Sequence, residues 1–363
     1  MPRVLVHSLF VAFIASCGFG DTAGFQAGSV RPLVQRPGDQ LHPAVAGDRI
    51  AWFDLEDDPN GACFVPPSGQ DYDRTCDGVV KTLDRETGEV RTLSETLGQQ
   101  VRPAVTQDLV AWRCHRQNEP GLCVSSADQP EVFYHRGVGW SRNNYDASSR
   151  PVVHEGMAYW AEYRTHQNKP SYRLMQADLR SGEQTILLYL DAMPDEVAAF
   201  DSRVVWKDSF FDGQEYRCII RALHLDTHEW NLVADTDEYC YGLGAFGEVL
   251  AWKQAKFEYG YVDPESIRVF HLDENGNVYR ASSHQARVSE ALPVVVGEGF
   301  LVWLDYREGI YRIAALDLMG RREEFLSPPS AMISAYISPA AGDRSVVWTE
   351  YRNGNSDLFL FRF

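Results

Sequence analysis

The chain has 363 residues, 44% hydrophobic and 12% aromatic, with 34 Lys and Arg against 51 Asp and Glu and a formal net charge of −17. That acidity excludes the basic footprint that nucleic acid binding requires and favours solubility instead. One repeat array accounts for nearly all of the length, which leaves no second domain and no low-complexity linker.

Taken in chain order, the first stretch reads as an export signal. Arg3 supplies a weak positive end, and Val4 to Ala15 is largely apolar but too short to span a membrane stably. Ile14-Ala15-Ser16-Cys17, an aliphatic residue, two small ones and then Cys, resembles the lipobox of bacterial lipoproteins. The resemblance implies a signal peptide over 1–17, lipidation of Cys17 as the mature N-terminus and a tether over 18–27. Gly18 after the Cys implies transfer to the outer membrane of a Gram-negative envelope, or at least a periplasmic location. The competing reading is an ordinary signal peptide with an incidental Cys.

Seven of the nine tryptophans then recur at intervals of 45 to 60 residues: Trp52, Trp112, Trp160, Trp206, Trp252, Trp303 and Trp348. Each ends a short apolar run such as Leu109-Val-Ala-Trp112 or Phe300-Leu-Val-Trp303. A period in this range with strands as its unit marks a β-propeller, here an all-β fold of seven blades over residues 28–363. Pro stands nine residues before the Trp at Pro43, Pro103, Pro151 and Pro339, and ten before it at Pro293. We expect a short inner strand opening at this Pro, a tight turn such as Gly47-Asp48, and a second strand ending at the Trp. The residue before the Trp is small or β-branched in six copies, with Tyr159 the exception. A large side chain on one face and a small one on the other lets neighbouring sheets interdigitate.

A variable loop and a third strand follow, then a turn with Asp and often Gly, as in Leu83-Asp84 to Gly88 and Leu316-Asp317 to Gly320; in blade four the matching stretch reads Leu225-Asp226-Thr227-His228. The last copy stops after its third strand at Phe363. Its missing fourth strand is supplied by Gly28 to Gly38, which aligns with Gly88 to Gly98, so the N-terminal strand closes the ring and removes an open edge.

Besides Cys17 there are six cysteines, an even number in an exported chain. The repeat frame pairs Cys63 with Cys76, Cys114 with Cys123, and Cys218 with Cys240; a zinc site is the rival, but the spacings match no finger or ribbon. All three pairs fall on the face where the second-to-third-strand loops and the connections between blades emerge. The long insertions 54–78, 136–149 and 254–265 lie on that face too, and elaborated loops on a rigid scaffold are where binding resides. The candidate ligand residues are Trp140, Arg142 and Tyr145 of the second insertion, with His42, Arg102, Arg150 and Glu196 at the channel mouth. Three consecutive cations there suit a carboxylate or an acidic chain, and the alternative is solvated or blade-bridging charge. Arg116, Arg164, Arg307 and Arg352, four residues after their Trp, are expected to fix loops by bonding a carboxylate or backbone.

No catalytic signature appears, and no metal or other cofactor is expected. The unit Pro-x-x-x-Gly-Asp-x-x-x-Trp-x-Asp, closest at Pro339-Ala-Ala-Gly342-Asp343 before Val347-Trp348, resembles the TolB-like propeller repeat across 28–363. The TolB protein of the periplasm has six blades and an added α/β domain, so its partner contacts do not carry over. WD-repeat and kelch signatures are missing. The expectation is a monomeric, lipid-anchored envelope module that binds a protein or peptide, without catalysis and with membrane contact through its anchor alone. The alternative is a carbohydrate-binding or carbohydrate-active propeller taking an acidic glycan. Replacing Cys17 with Ser should move the protein from the membrane to the soluble fraction or block signal processing; membrane fractionation with mass analysis of the N-terminus checks both.

Overall fold

The structure, a computed structural model, describes residues 30–55, 78–94, 101–116, 119–126, 132–136, 151–166, 169–192, 194–211, 216–258, 261–273, 277–285, 292–333, 338–352 and 354–363. It is an all-β, seven-bladed propeller. Each blade is an antiparallel sheet whose strands follow one another in sequence from the channel outward. The inner strands are Gln40–Ala46, Val101–Val105, Val152–His154, Glu196–Phe200, Tyr239–Phe246 and Val295–Gly297, and in blade seven the split pair Met332–Ile333 and Ala340–Ala341. The outer strand of blade seven comes from the other end of the chain. Arg31–Val34 pairs with Asn355–Arg362 in the register Arg31↔Leu360, Pro32↔Phe359 and Val34↔Leu358. Among the described residues no helix is long and apolar enough to cross a membrane.

The seven tryptophans are all at most 2% exposed. Each belongs to an apolar cluster shared with the preceding blade, and that cluster includes the residue just before the preceding blade's own Trp. Ala51 clusters with Trp112, Ala111 with Trp160, Val205 with Trp252, Ala251 with Trp303, and Val302 with Trp348. Val347 of the last blade meets Trp52 of the first, together with Val34 of the closing strand. Tyr159, the large exception, accompanies Trp206. Burial, with a smaller effect of Glu155, pushes the Tyr159 hydroxyl pKa up to about 12. Large-to-small alternation along one short run thus sets the wedge between blades.

Local expectations differ from the structure at several places. The Trp lies within the second strand, not at its end: Met157–His166 and Val249–Glu258 run six residues beyond it, because the backbone goes on pairing with the third strand. For the same reason 254–265 is mostly ladder rather than inserted loop, with Lys256↔Asp263 and Glu258↔Tyr261 in register. Pro43 and Pro103 do not open their strands. They sit at register shifts inside them, between Leu41 and Ala44 and between Val101 and Ala104, where a bulge excuses the missing donor. The blade-four counterpart of Asp84 is His224 rather than Asp226: Arg49 faces Asp84, and Arg203 faces His224. The His224 ring nitrogen Nδ1 accepts from the backbone N–H of Asp226 and Thr227 where Asp84 Oδ1 accepts from Glu86 and Thr87. In this turn the left-handed residue stands four after the Asp, at Gly88, Gly182, His228 and Arg321, so in blade six it is Arg321 and not Gly320.

Deleting residues 28–37 should remove the closing strand and lower the melting temperature by roughly 10 °C or more, since an edge opens and the Val34 contact with Trp52 is lost. Trimming residues 18–27 alone should leave melting unchanged. Differential scanning calorimetry of the two truncations checks this.

Candidate functional site

Each inner strand runs from the face that carries the loops to the face that carries the tight turns. The channel therefore has two mouths of different chemistry.

At the loop-face mouth the structure describes His42, Glu196 and the backbone of Arg102. His42 occupies a left-handed conformation, φ 51°, inside the bulge of the first inner strand. Arg102 lies in the matching bulge of blade two, and Gly242, φ 70°, in that of blade five. Only glycine fits the last position: a Cβ on Gly242 would lie 2.7 Å from the Lys253 stem and 2.9 Å from the Pro293 backbone of the next blade. Arg150, Trp140, Arg142 and Tyr145 lie outside the described residues, as do Cys17, Cys63 and Cys76.

Glu196 links two blades. Its carboxylate accepts from the backbone N–H of Gly242 at 3.0 Å and of Leu243 at 2.5 Å, both in the bulge of blade five. Lys207, 1% exposed, stands 3.6 Å from Glu196 and 3.4 Å from Asp195, and its ammonium donates to the Cys240 carbonyl at 2.8 Å. Lys207 directly follows Trp206. The same position in blade five holds Lys253, which donates to the Leu292 carbonyl of blade six and lies 4.2 Å from the Tyr241 ring centre. In blade seven it holds Thr349, which donates to the Gln40 carbonyl of blade one at 3.2 Å. These three side chains latch one blade to the backbone of the next. Sequence reading missed them, although a lysine inside an otherwise apolar strand was the visible signal. It missed His135 as well, a buried ring in the outer strand of blade two whose Nε2 lies 2.7 Å from the Leu179 carbonyl of blade three.

Two of the three expected disulfides lie in the described region. Cys114–Cys123 joins neighbouring strands of blade two, and Cys218–Cys240 joins the third strand of blade four to the inner strand of blade five. Cys240 is inside that inner strand and not ahead of it, because the strand already pairs Tyr239 with Ala255. The second bridge spans the same seam as Glu196 and Lys207, and each contributes about 3 kcal/mol in the loop-entropy account. Disulfides fit an oxidising compartment.

The acid two residues after the Trp organises the loop-face ends of the blades. Asp54 and Asp305 accept the indole N–H of Trp52 and Trp303 at 2.7 and 2.9 Å. Asp305 also receives Arg307 Nε at 3.0 and 2.9 Å, and Glu350 receives Arg352 Nε. The structural reading of these arginines therefore holds for Arg307 and Arg352. The side chains of Arg116 and Arg164 lie outside the described residues.

Arg307 reaches further, to Glu323 of the outer strand, which also lies 2.5 Å from His284 Nε2 of blade five. Burial and the nearby Arg307 charge nevertheless hold the His284 pKa below its ordinary value, with Asp305 opposing. Burial raises Asp208 above the usual carboxylate range despite its pairing with Arg221.

The turn-face mouth opens a cavity of about 770 Å³, bordered by Ala46, Leu109, Met157, Ala199, Phe246 and Gly342 among others. All seven turns between inner and second strands bring one carboxylate to this face: Asp48, Asp108, Glu155, Asp201, Glu248, Glu298 and Asp343. Such a rim disfavours acidic ligands. On the opposite face, blades six and seven expose large apolar side chains: Tyr306 at 45%, Ile310 at 39%, Met332 at 63% and Tyr351 at 45%. Met332 and Tyr351 are direct cross-strand partners. Among the described residues, no group of three or more His, Cys, Asp or Glu side chains is placed to hold a metal ion.

These features define a closed seven-bladed β-propeller with a turn-face cavity and a loop face carrying exposed aromatics. No family model matches the chain, and no curated protein matches its sequence. Solved structures do match it. An oligogalacturonate lyase in complex with manganese is similar at 13% identity and TM-score 0.58, covering 93% of each chain. The β-propeller domain of the Trilobed protease from Pyrococcus furiosus is similar at 8% identity and TM-score 0.62, over 90% of this chain and 94% of that one. The acylaminoacyl peptidase of Pyrococcus horikoshii matches at 9% identity and TM-score 0.60, over 89% of this chain and 51% of its own. At these identities the likeness is one of fold.

Replacing Glu196 with Ala should cost roughly 2 kcal/mol, because two buried N–H groups lose their acceptor and Lys207 loses a charge partner. Urea unfolding checks the size, and Glu196→Gln should recover part of the loss.

Proposed function

We propose that this protein is a lipid-anchored binding module of the bacterial cell envelope, a TolB-like propeller that holds a protein or peptide partner on its loop face without catalysing a reaction. The observation that carries this reading is the exposure of Tyr306, Ile310, Met332 and Tyr351 at the loop-face ends of blades six and seven. Apolar side chains gathered at one end of a soluble scaffold and rimmed by charge, here Arg307 and Arg352, have the composition of a protein contact. The two described disulfides stiffen the same face, which lowers the entropy lost on binding. Cys17 supplies the anchor, and residues 18–27 give the propeller reach from the membrane.

We assign a second contact to His42 and Arg102 at the channel mouth together with Arg150, Trp140, Arg142 and Tyr145, a set of residues whose cations suit an acidic segment of the partner. The carbohydrate reading places an acidic glycan at this mouth, since the carboxylate rim of the other one would repel it.

Crosslinking and pull-down from envelope extract should recover a protein partner. The double variant Tyr351→Ser, Met332→Ser should weaken that capture at least tenfold with little change in melting. The double variant Arg102→Ala, Arg150→Ala should weaken it less and reduce its salt dependence. Undiminished capture by the first variant would rule out the apolar contact. Retention on an acidic glycan array that only the arginine variant abolishes would favour the carbohydrate reading.

A further inference from the structure

The seam where the ring closes carries a second feature of different chemistry. A groove of about 420 Å³ runs between the closing strand Arg31–Val34 and the outer part of blade one. Its walls are Pro32, Leu33 and Val34 on one side and Leu83 and Val90 on the other, and three arginines, Arg31, Arg36 and Arg85, stand along it. That is a concentration of positive charge on a protein of net charge −17.

Arg85 is the unusual member. Its side chain is only 7% exposed. Its Nη2 donates to the Gly47 carbonyl and lies 3.0 Å from Asp48 Oδ1, which pins the guanidinium to the first turn of blade one. Its Nε and Nη1 are buried and have no hydrogen-bond acceptor among the described residues. Buried donors are almost always satisfied, and those on a permanently charged group most of all, so two on one guanidinium require an explanation. Neighbouring charge adds to the demand. Asp48 is shared with Arg362 at 3.9 Å, and burial together with the Arg362 and Arg31 charges lowers the Arg85 pKa, with Asp48 opposing. Of the carboxylates in the adjoining turn, Glu86 is exposed, Asp84 accepts the backbone N–H of Glu86 and Thr87, and Glu89 is held by Arg91 through two bonds of 2.7 and 2.9 Å.

We propose that this seam is an oxyanion-binding site, taking a small carboxylate or phosphate compound whose charged group meets Arg85 and Arg31 and whose body lies along the apolar wall of Pro32 to Val34. A guanidinium fork matches both kinds of oxyanion through charge-assisted hydrogen bonds. The groove volume of about 420 Å³ matches a small molecule. Because one wall is the closing strand and the other is blade one, the bound anion bridges the two ends of the ring and favours the folded state by mass action. This site is independent of the loop-face contact, since it lies at the outer, turn-side end of blades seven and one.

The test is thermal melting of the full chain with inorganic phosphate in one series and the dicarboxylate adipate in another, at constant ionic strength set with sodium chloride. A saturable rise in melting temperature is expected with at least one of them. It should be lost in Arg31→Ala, whose exposed side chain supports no core, and at least halved in Arg85→Lys, which keeps a cation beside Gly47 and Asp48 but lacks the second donor edge. The Nε–H resonance of Arg85, followed in arginine-labelled protein, should move with the same saturation. If Arg85→Lys proves too unstable to titrate, the Arg31→Ala series and the resonance decide the matter together. A response to phosphate alone or to adipate alone identifies the preferred oxyanion. A rise no larger than that given by chloride, or one of equal size in Arg31→Ala, would overturn the site and leave only a general salt effect.

Discussion

Every blade leans on the one before it through a tryptophan set against a smaller side chain. The seven apolar clusters each span two blades, so no blade owns a complete core. Architectures of this kind gain stability only when the repeats are stacked and, for a ring, only when the last repeat meets the first. That is why the short strand Arg31–Val34 matters beyond its four residues. It completes the sheet of blade seven and brings Val34 into the cluster holding Val347 and Trp52.

Polar bonds repeat the same logic at the channel. Lys207, Lys253 and Thr349 all follow their Trp directly and all reach a backbone carbonyl of the next blade, in the inner strand for Cys240 and Gln40 and just ahead of it for Leu292. Burying an ammonium is costly unless it is paired and hydrogen-bonded. Lys207 meets that condition through Cys240, Ser209, Asp195 and Glu196. The seam between blades four and five thus carries a disulfide, a buried lysine and a bridging carboxylate together. Blade three to blade four instead relies on Tyr159 against Trp206. Different seams of one ring are held by different chemistry, although their backbones repeat.

The two faces follow from the wiring. Turns of two or three residues leave little room for elaboration, so the turn face carries a simple rim of carboxylates around its cavity. The longer connections collect on the other face, where aromatic side chains remain exposed and where Asp54, Asp305 and Glu350, each two residues after a Trp, hold neighbouring side chains. Tyr306 and Tyr351 are exposed for a related reason. They stand three residues after Trp303 and Trp348, Tyr306 just past the end of its second strand and Tyr351 near the end of its own, beyond the shelter of the neighbouring blades.

The blade count and the ring closure were readable from residue spacing, because a buried Trp recurs once per sheet and because 28–38 aligns with 88–98. Two of the three cysteine pairings were readable in the same way. Register was not. Nothing in Leu41-His42-Pro43 announces a bulge, since a proline is compatible with both a strand start and a bulge, and cross-strand pairing decides between them. The turn at His224 was hidden because an imidazole nitrogen can accept the backbone bonds that Asp accepts elsewhere. Glu196 was legible as a residue at the mouth, but its engagement with Gly242 and Leu243 depends on a partner 46 residues away in the chain. The unsatisfied donors of Arg85 are a property of packing alone. Local alternation of large and small residues specifies which sheets form and how they wedge, while the pairing of polar groups between blades is a long-range condition that takes shape only once the ring has closed.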